Sequence, residues 1–149
     1  MKNLVLLDSD SANTIFCSKE YVTNIRPAKK PLEINTNGGI MMVTQQCEIP
    51  FLGTHWFNNE VITNIISLAD ITKKFRVTID SQKEKALVVH MDDKIVKFEQ
   101  MPGGLYARKP GDTIGINYKT NIKSKDNKIK HANNYLTVNE NHKFLSNAQ

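Results

Sequence analysis

Two acids, Asp8 and Asp10, stand one residue apart in the segment Leu6-Leu7-Asp8-Ser9-Asp10-Ser11. They follow Leu4-Val5-Leu6-Leu7, a short run without a polar residue. Such a run reads as a buried strand, and the Asp/Ser cluster after it reads as a turn. A strand that ends in a carboxylate and a small-residue turn is a way to hold an acid at the edge of a core. Asp-Ser turns also follow strands for local reasons alone, because both side chains hydrogen-bond nearby backbone. The segment therefore nominates Asp8, supported by Ser9, Asp10 and Ser11, without deciding a reaction. Other chemistry is sparse. His55, His90, His131 and His142 lie at no zinc-ligand spacing from one another or from a cysteine pair, so no metal site and no cofactor is read. Cys17 and Cys47 are too few and too far apart for a disulfide framework, and read as buried or idle thiols of a reducing compartment.

The elements that must position Asp8 are short and strand-like. Leu32-Glu33-Ile34-Asn35 alternates as a half-buried strand does. Asn37-Gly38-Gly39 then predicts a hairpin turn, since Asn and Gly both tolerate positive φ, and residues 40–45 supply the return strand. The basic stretch punctuated by Pro27 and Pro31 reads as a loop, with Arg26, Lys29 and Lys30 solvated. Residues 14–25 show no clean period beyond a helical turn around residues 19–22. His55-Trp56-Phe57 reads as a short strand, with Trp56 packing in the core or at the hairpin base. The apolar stretch from Val61 to Ile66 reads as a buried strand, with Asn64 fixing the way out of it. From Ser67 a short helix is expected, Ser67 near its cap. Residues 75–80, 87–91, 95–100 and 105–107 read as further strands separated by turns. The sum is a mostly β domain with one or two short helices.

Charge divides the chain. Residues 1–108 carry 13 Lys/Arg against 12 Asp/Glu, whereas residues 109–149 carry 7 against 3, so most of the net charge of +5 lies in the last part. A domain over 1–108 and a flexible basic tail over 109–149 are expected. No apolar run approaches the roughly 18–20 residues that span a bilayer, and the first residues do not read as an export signal. A soluble, intracellular, cytoplasmic protein without a membrane partner is expected.

Leu6-Leu7-Asp8-Ser9-Asp10-Ser11 resembles the Leu-Leu-Asp-Ser-Gly-Ser/Ala signature of the retropepsin-like proteases of copia-type retrotransposon polyproteins. Asn37-Gly38-Gly39 falls where those proteins carry a hairpin, and Val61-Ile62-Thr63-Asn64-Ile65-Ile66-Ser67-Leu68 looks like their segment in which a buried strand runs into a helix. Val77-Thr78-Ile79-Asp80, Val88-Val89-His90 and Gly104-Leu105-Tyr106 resemble the stretch immediately downstream of the protease in those polyproteins. The resemblance spans roughly residues 4–108. It implies a small retropepsin-like β-barrel or sheet and an aspartic endopeptidase working as a homodimer on its own polyprotein, without metal or cofactor. Each subunit would give one catalytic acid, Asp8. Ser9 would join the two active loops, and the hairpin at Asn37, Gly38 and Gly39 would be a flap over the substrate.

Two departures from that pattern carry expectations. Asp10 stands where the family has glycine, which adds a β-carbon and a charge to a crowded loop and predicts weak or absent peptidase activity. Seven residues precede Asp8, where such domains use a longer stretch for a first hairpin and for the dimer sheet. A fragment of a longer reading frame, with an unpaired sheet edge prone to non-specific association, is expected. Two other readings compete. Apolar residues followed by Asp8-X-Asp10 also open haloacid-dehalogenase-like phosphatases, with one acid as nucleophile, the other as acid/base, and magnesium between them and phosphate. That reading needs helices alternating with parallel strands. A non-catalytic remnant or binding module would use the basic tail on RNA or DNA phosphates, through Lys123, Lys125, Lys128 and Lys130, with Tyr118 and Tyr135 for stacking.

Overall fold

Four consecutive apolar residues cannot turn one face to water, so they belong in the middle of a sheet covered on both sides. The computed structural model, which describes residues 3–108, places them there. Strand β1 (Val5–Asp8) is buried along its whole length. The other strands are β2 (Ile15–Phe16), β3 (Thr23–Thr36), β4 (Gly39–Ile49), β5 (Gly53–Phe57), β6 (Asn64–Ser67), β7 (Arg76–Ile79), β8 (Ala86–His90), β9 (Ile95–Gln100) and β10 (Tyr106–Arg108). They form one sheet in the order β3-β4-β5-β2-β6-β1-β10-β9-β8-β7. The expected mostly β class therefore holds, with helix α1 (Leu68–Ile71) and a 3-10 turn at Lys19–Tyr21 as the short helical pieces.

Two parallel pairings set the geometry around β1. Asp8 lies opposite Ser67 in the parallel pair β1·β6, and Ile15 and Phe16 of β2 lie parallel to Trp56 and Phe57 of β5. Parallel neighbours need a crossover rather than a tight turn. The chain makes it by sending β3 and β4 out as a long hairpin and returning through β5. On its other side β1 is paired antiparallel with β10, Leu6 opposite Ala107. The open edge expected beside the first strand is thus absent at β1: a strand from nearly a hundred residues later covers it.

Several local expectations change. The segment read as a basic loop around Pro27 and Pro31 is part of β3. Proline lacks the N–H for a ladder bond, but β3 is the last strand of the sheet, where one side of the backbone needs no partner. The irregularity appears instead as register shifts between Thr23 and Arg26 and between Pro27 and Leu32, with Asn24 at φ 53° in the first. The strand expected from Val61 is confined to β6. The two-residue strand β2 has no period to betray it. The helix–strand alternation that the phosphatase reading needs is not found among the described residues, where the α-helix has four residues.

The core is in two parts. The larger joins Leu6, Phe16, Phe57 and Ile66 to Val96 and Phe98 of the later strands. The smaller gathers Ile15, Cys17, Ile34, Val43 and Val61, with Met41 and Trp56 packed against it. It ties the turn-proximal half of the β3–β4 hairpin to β2, which begins directly after the Asp8 loop. Cys17 and Cys47 are both buried thiols. Burial pushes the Cys47 thiol up to about 12, with Glu48 adding to the rise, so it stays protonated. Among the described residues no helix is long and apolar enough to cross a membrane.

Candidate active site

Asp8 is the last residue of β1, and the strand's burial continues to it: 6 % of its surface is exposed. Its Oδ1 accepts a hydrogen bond of 2.8 Å from the Asp10 backbone N–H. Its Oδ2 is buried and has no hydrogen-bond donor among the described residues. An aspartate beside a turn commonly binds backbone two residues on, but it rarely buries its second oxygen with nothing opposite. Burial is the main cause that raises the Asp8 pKa. The Asp10 N–H opposes the rise, and the Asp10 charge adds a smaller push upward. Asp8 is therefore a carboxyl that keeps its proton to higher pH than an ordinary aspartate.

The other residues of the predicted loop behave differently. Ser9 and Asp10 are exposed. Ser11 is half-buried, and its hydroxyl donates to the Asn13 carbonyl at 2.8 Å, tightening the loop from within. Asp10 does not occupy a positive-φ conformation; among the described non-glycine residues only Asn24 and Phe51 do. The backbone here thus places no glycine-only demand on position 10, and what Asp10 adds to the loop is its charge.

Asn37 and Gly38 form the turn of the β3–β4 hairpin, with Thr36 opposite Gly39. The left-handed φ that the sequence assigned to Asn37 and Gly38 falls on Gly39, at +121°. The Thr36 hydroxyl locks the turn by donating to the Gly39 carbonyl (2.7 Å) and accepting from the Gly38 N–H (3.1 Å). Ile40 and Met42, 61 % and 48 % exposed, lie on one face of β4, while Met41 and Val43 turn toward the small core cluster.

On the hairpin itself, Arg26, Lys29, Lys30 and Leu32 of β3 and Gln46 of β4 line a groove of about 750 Å³ together with Pro27, Pro31 and Trp56 of β5. Arg26 is tied to Glu48 at 2.9 Å, which departs from the expectation that it is solvated. Trp56 fills the place expected of it at the hairpin base. Asn64 is wholly buried; its carbonyl oxygen accepts from the Cys17 and Ser18 N–H groups and its amide donates to the Leu4 carbonyl. It fastens β6 to its neighbours rather than shaping the exit to α1.

Three residues beside Ser67, the residue opposite Asp8, were missed by sequence reading. Thr14 accepts the Ser67 N–H and its hydroxyl donates to Asp70 Oδ2 at 2.7 Å, and His55 Nδ1 lies 3.6 Å from the same oxygen. Thr14 and Asp70 are 56 positions apart, and no spacing rule joins residues at that distance. The tail lysines Lys123, Lys125, Lys128 and Lys130 lie outside the described residues. No model of a protein family, no curated protein and no solved structure matches the chain.

Proposed function

We propose that the chain is the aspartic endopeptidase-like domain of a copia-type retroelement polyprotein, with Asp8 as its catalytic acid. One observation carries the reading: a carboxylate buried at the end of a central strand, with one oxygen held by the Asp10 N–H and the other without a donor. For a second copy of the chain to bring its own Asp8 to that oxygen, the loop of residues 9–13 must first uncover it, since Oδ2 is buried within the single chain. Two carboxyls at such distance cannot both ionise cheaply, so they share one proton. The ionised Asp8 accepts a proton from water as the water oxygen bonds to the peptide carbonyl carbon. The protonated one gives its proton to the carbonyl oxygen, forming a neutral diol. Collapse of the diol breaks the C–N bond, with a proton passing to the leaving amine. No metal enters these steps. The pairing of β1 with β6, the helix directly after Ser67 and the long β3–β4 hairpin also support the reading.

Peptide cleavage tests it. A mixed peptide library is incubated between about pH 4 and pH 7, where a shared-proton pair works, with the natural chain, Asp8→Asn and Asp10→Gly. The natural chain is expected to cleave weakly, Asp10→Gly at least about tenfold faster, and Asp8→Asn not at all. Cleavage that survives Asp8→Asn, or silence in Asp10→Gly, counts against the peptidase and leaves the non-catalytic remnant as the better reading.

A further inference from the structure

We infer that Asp70 is the positioning residue of this site: through Thr14 it fixes the far end of the loop that carries Asp8. The inference rests on the reading of Asp8 as the catalytic acid and adds a residue that touches neither substrate nor Asp8.

The argument starts from one hydroxyl. Thr14 is wholly buried, so each polar contact of its side chain must be made inside the protein. A hydroxyl has one proton to give and lone pairs to receive with. The proton goes to Asp70 Oδ2 at 2.7 Å, and a lone pair accepts the Ser67 N–H at 3.0 Å. An ionised carboxylate accepts only, so Asp70 dictates the direction of the hydroxyl and leaves the lone pair free for Ser67. Ser67 in turn accepts the Asp70 N–H on its side-chain oxygen at 3.3 Å, as the cap of α1. Ser67, Asp70 and Thr14 thus form a closed ring of three hydrogen bonds.

That ring sits beside Asp8 in a definite way. Ser67 is the residue opposite Asp8 across the β1·β6 pair. The loop of residues 9–13 leaves Asp8 and returns at Thr14, so both its ends are anchored to the end of β6: one by strand pairing, the other by the Thr14 hydroxyl. The Thr14 carbonyl also accepts the Trp56 N–H at 3.2 Å, which ties the same point to β5. Within the loop, the Asp10 N–H holds Asp8 Oδ1. The direction of the free Oδ2 therefore depends on loop shape, and loop shape depends on Thr14 staying where Asp70 holds it. Lys73 Nζ, 3.6 Å from Asp70 Oδ1, adds an opposite charge from outside the ring, whereas His55 Nδ1, 3.6 Å from Oδ2, lies beyond hydrogen-bond length.

The test uses the full chain and reads two quantities that do not need catalysis: hydrogen exchange of the Asp10 amide, and the titration midpoint of the Asp8 carboxyl carbon by NMR. Asp70→Ala and Thr14→Val each break the ring; Asp70→Asn keeps an oxygen for the Thr14 proton. In the first two, the Asp10 amide is expected to exchange at least about tenfold faster, and the Asp8 midpoint to fall toward that of an ordinary aspartate because water admitted by the loosened loop removes burial, the larger cause of its rise, and outweighs the lost Asp10 N–H bond, while amides of β8 and β9 keep their protection. Asp70→Asn is expected to restore both readings to those of the natural chain. In the cleavage assay, the ring-breaking variants lower kcat and leave KM unchanged. If no variant cleaves but the Asp10 and Asp8 readings move as stated, the peptidase reading fails and the positioning role stands. Unchanged readings in Thr14→Val overturn the inference, and so does global unfolding of Thr14→Val, which would make the hydroxyl a support of the whole fold.

Discussion

Asp8 and Asp10 differ in environment more than in chemistry. One is buried at a strand end and the other is exposed in the turn. Burial is what raises the Asp8 pKa above 3.8, and this fixes the sign of its effect on stability. The folded state holds the Asp8 proton more tightly than the unfolded chain does. The contribution is complete below about pH 3.8 and is lost as pH rises through the folded value. Urea unfolding of the natural chain and of Asp8→Asn from pH 3 to pH 7 is expected to show the difference. Relative to Asp8→Asn, the natural chain loses up to about 1.4 kcal/mol for each pH unit by which the folded value exceeds the unfolded one. Parallel curves for the two chains would mean that Asp8 titrates normally. Position 10 invites a second comparison. Its backbone makes no left-handed demand, so on the proposed peptidase reading Asp10 would hinder activity by its charge rather than its shape. Asp10→Asn is therefore expected to gain peptidase rate to within about threefold of Asp10→Gly, which is itself at least about tenfold above the natural chain. A gain confined to Asp10→Gly in kinetics on the same peptide would assign the obstacle to the β-carbon.

The hairpin shows how far local sequence reaches. Asn37-Gly38-Gly39 announced a turn, and the turn is there, because a polar, glycine-rich tripeptide between alternating strands has little else to form. Which residue takes the unusual backbone was not legible: the strain-free solution puts +121° on Gly39 and lets the Thr36 hydroxyl close the turn. A β-carbon on Gly39 would touch nothing within 4 Å, so its penalty is conformational alone. Gly39→Ala is expected to lower stability by about 1 kcal/mol or more, and Gly38→Ala by less than about half of that, in denaturant titration. Equal costs would move the left-handed residue back to Gly38. The strand ending at Asp8 and the Ser67 cap were readable for the same reason as the turn: each depends on neighbours in sequence. The pieces that were not readable depend on partners far away. The prolines of β3 are tolerated because the strand lies at the edge of the sheet, and β2 exists because Ile15 and Phe16 find Trp56 and Phe57. Thr14 and Asp70 found each other in the same way.

At the scale of the molecule, the decisive contact joins the beginning of the described chain to its end. By resemblance, the segments 77–80, 88–90 and 104–106 look like polyprotein downstream of a protease, and so like material that could be removed. The sheet argues otherwise. β10 occupies the second edge of β1, the strand that ends in Asp8, and β9 and β8 come next outward. Val89, Val96, Phe98 and Ala107 share one core cluster with Val5, Leu6 and Phe16. Burying Val89, Val96 and Phe98 is worth about 1.5–3 kcal/mol each, and together that is of the order of the whole stability of a small domain, about 5–15 kcal/mol. Removing them would also strip β1 of its partner and expose backbone groups beside Asp8. A chain ending at residue 75 is therefore expected to lose cooperative urea unfolding and to associate in sedimentation. A chain ending at residue 108 is expected to unfold as cooperatively as the full one. Should residues 1–75 alone unfold cooperatively and sediment as one species, the later strands are an appended unit, and the site needs nothing beyond α1. Should they fail while residues 1–108 succeed, any processing that releases a working Asp8 site must cut after Arg108, because the last strand is part of the wall that holds the acid in place.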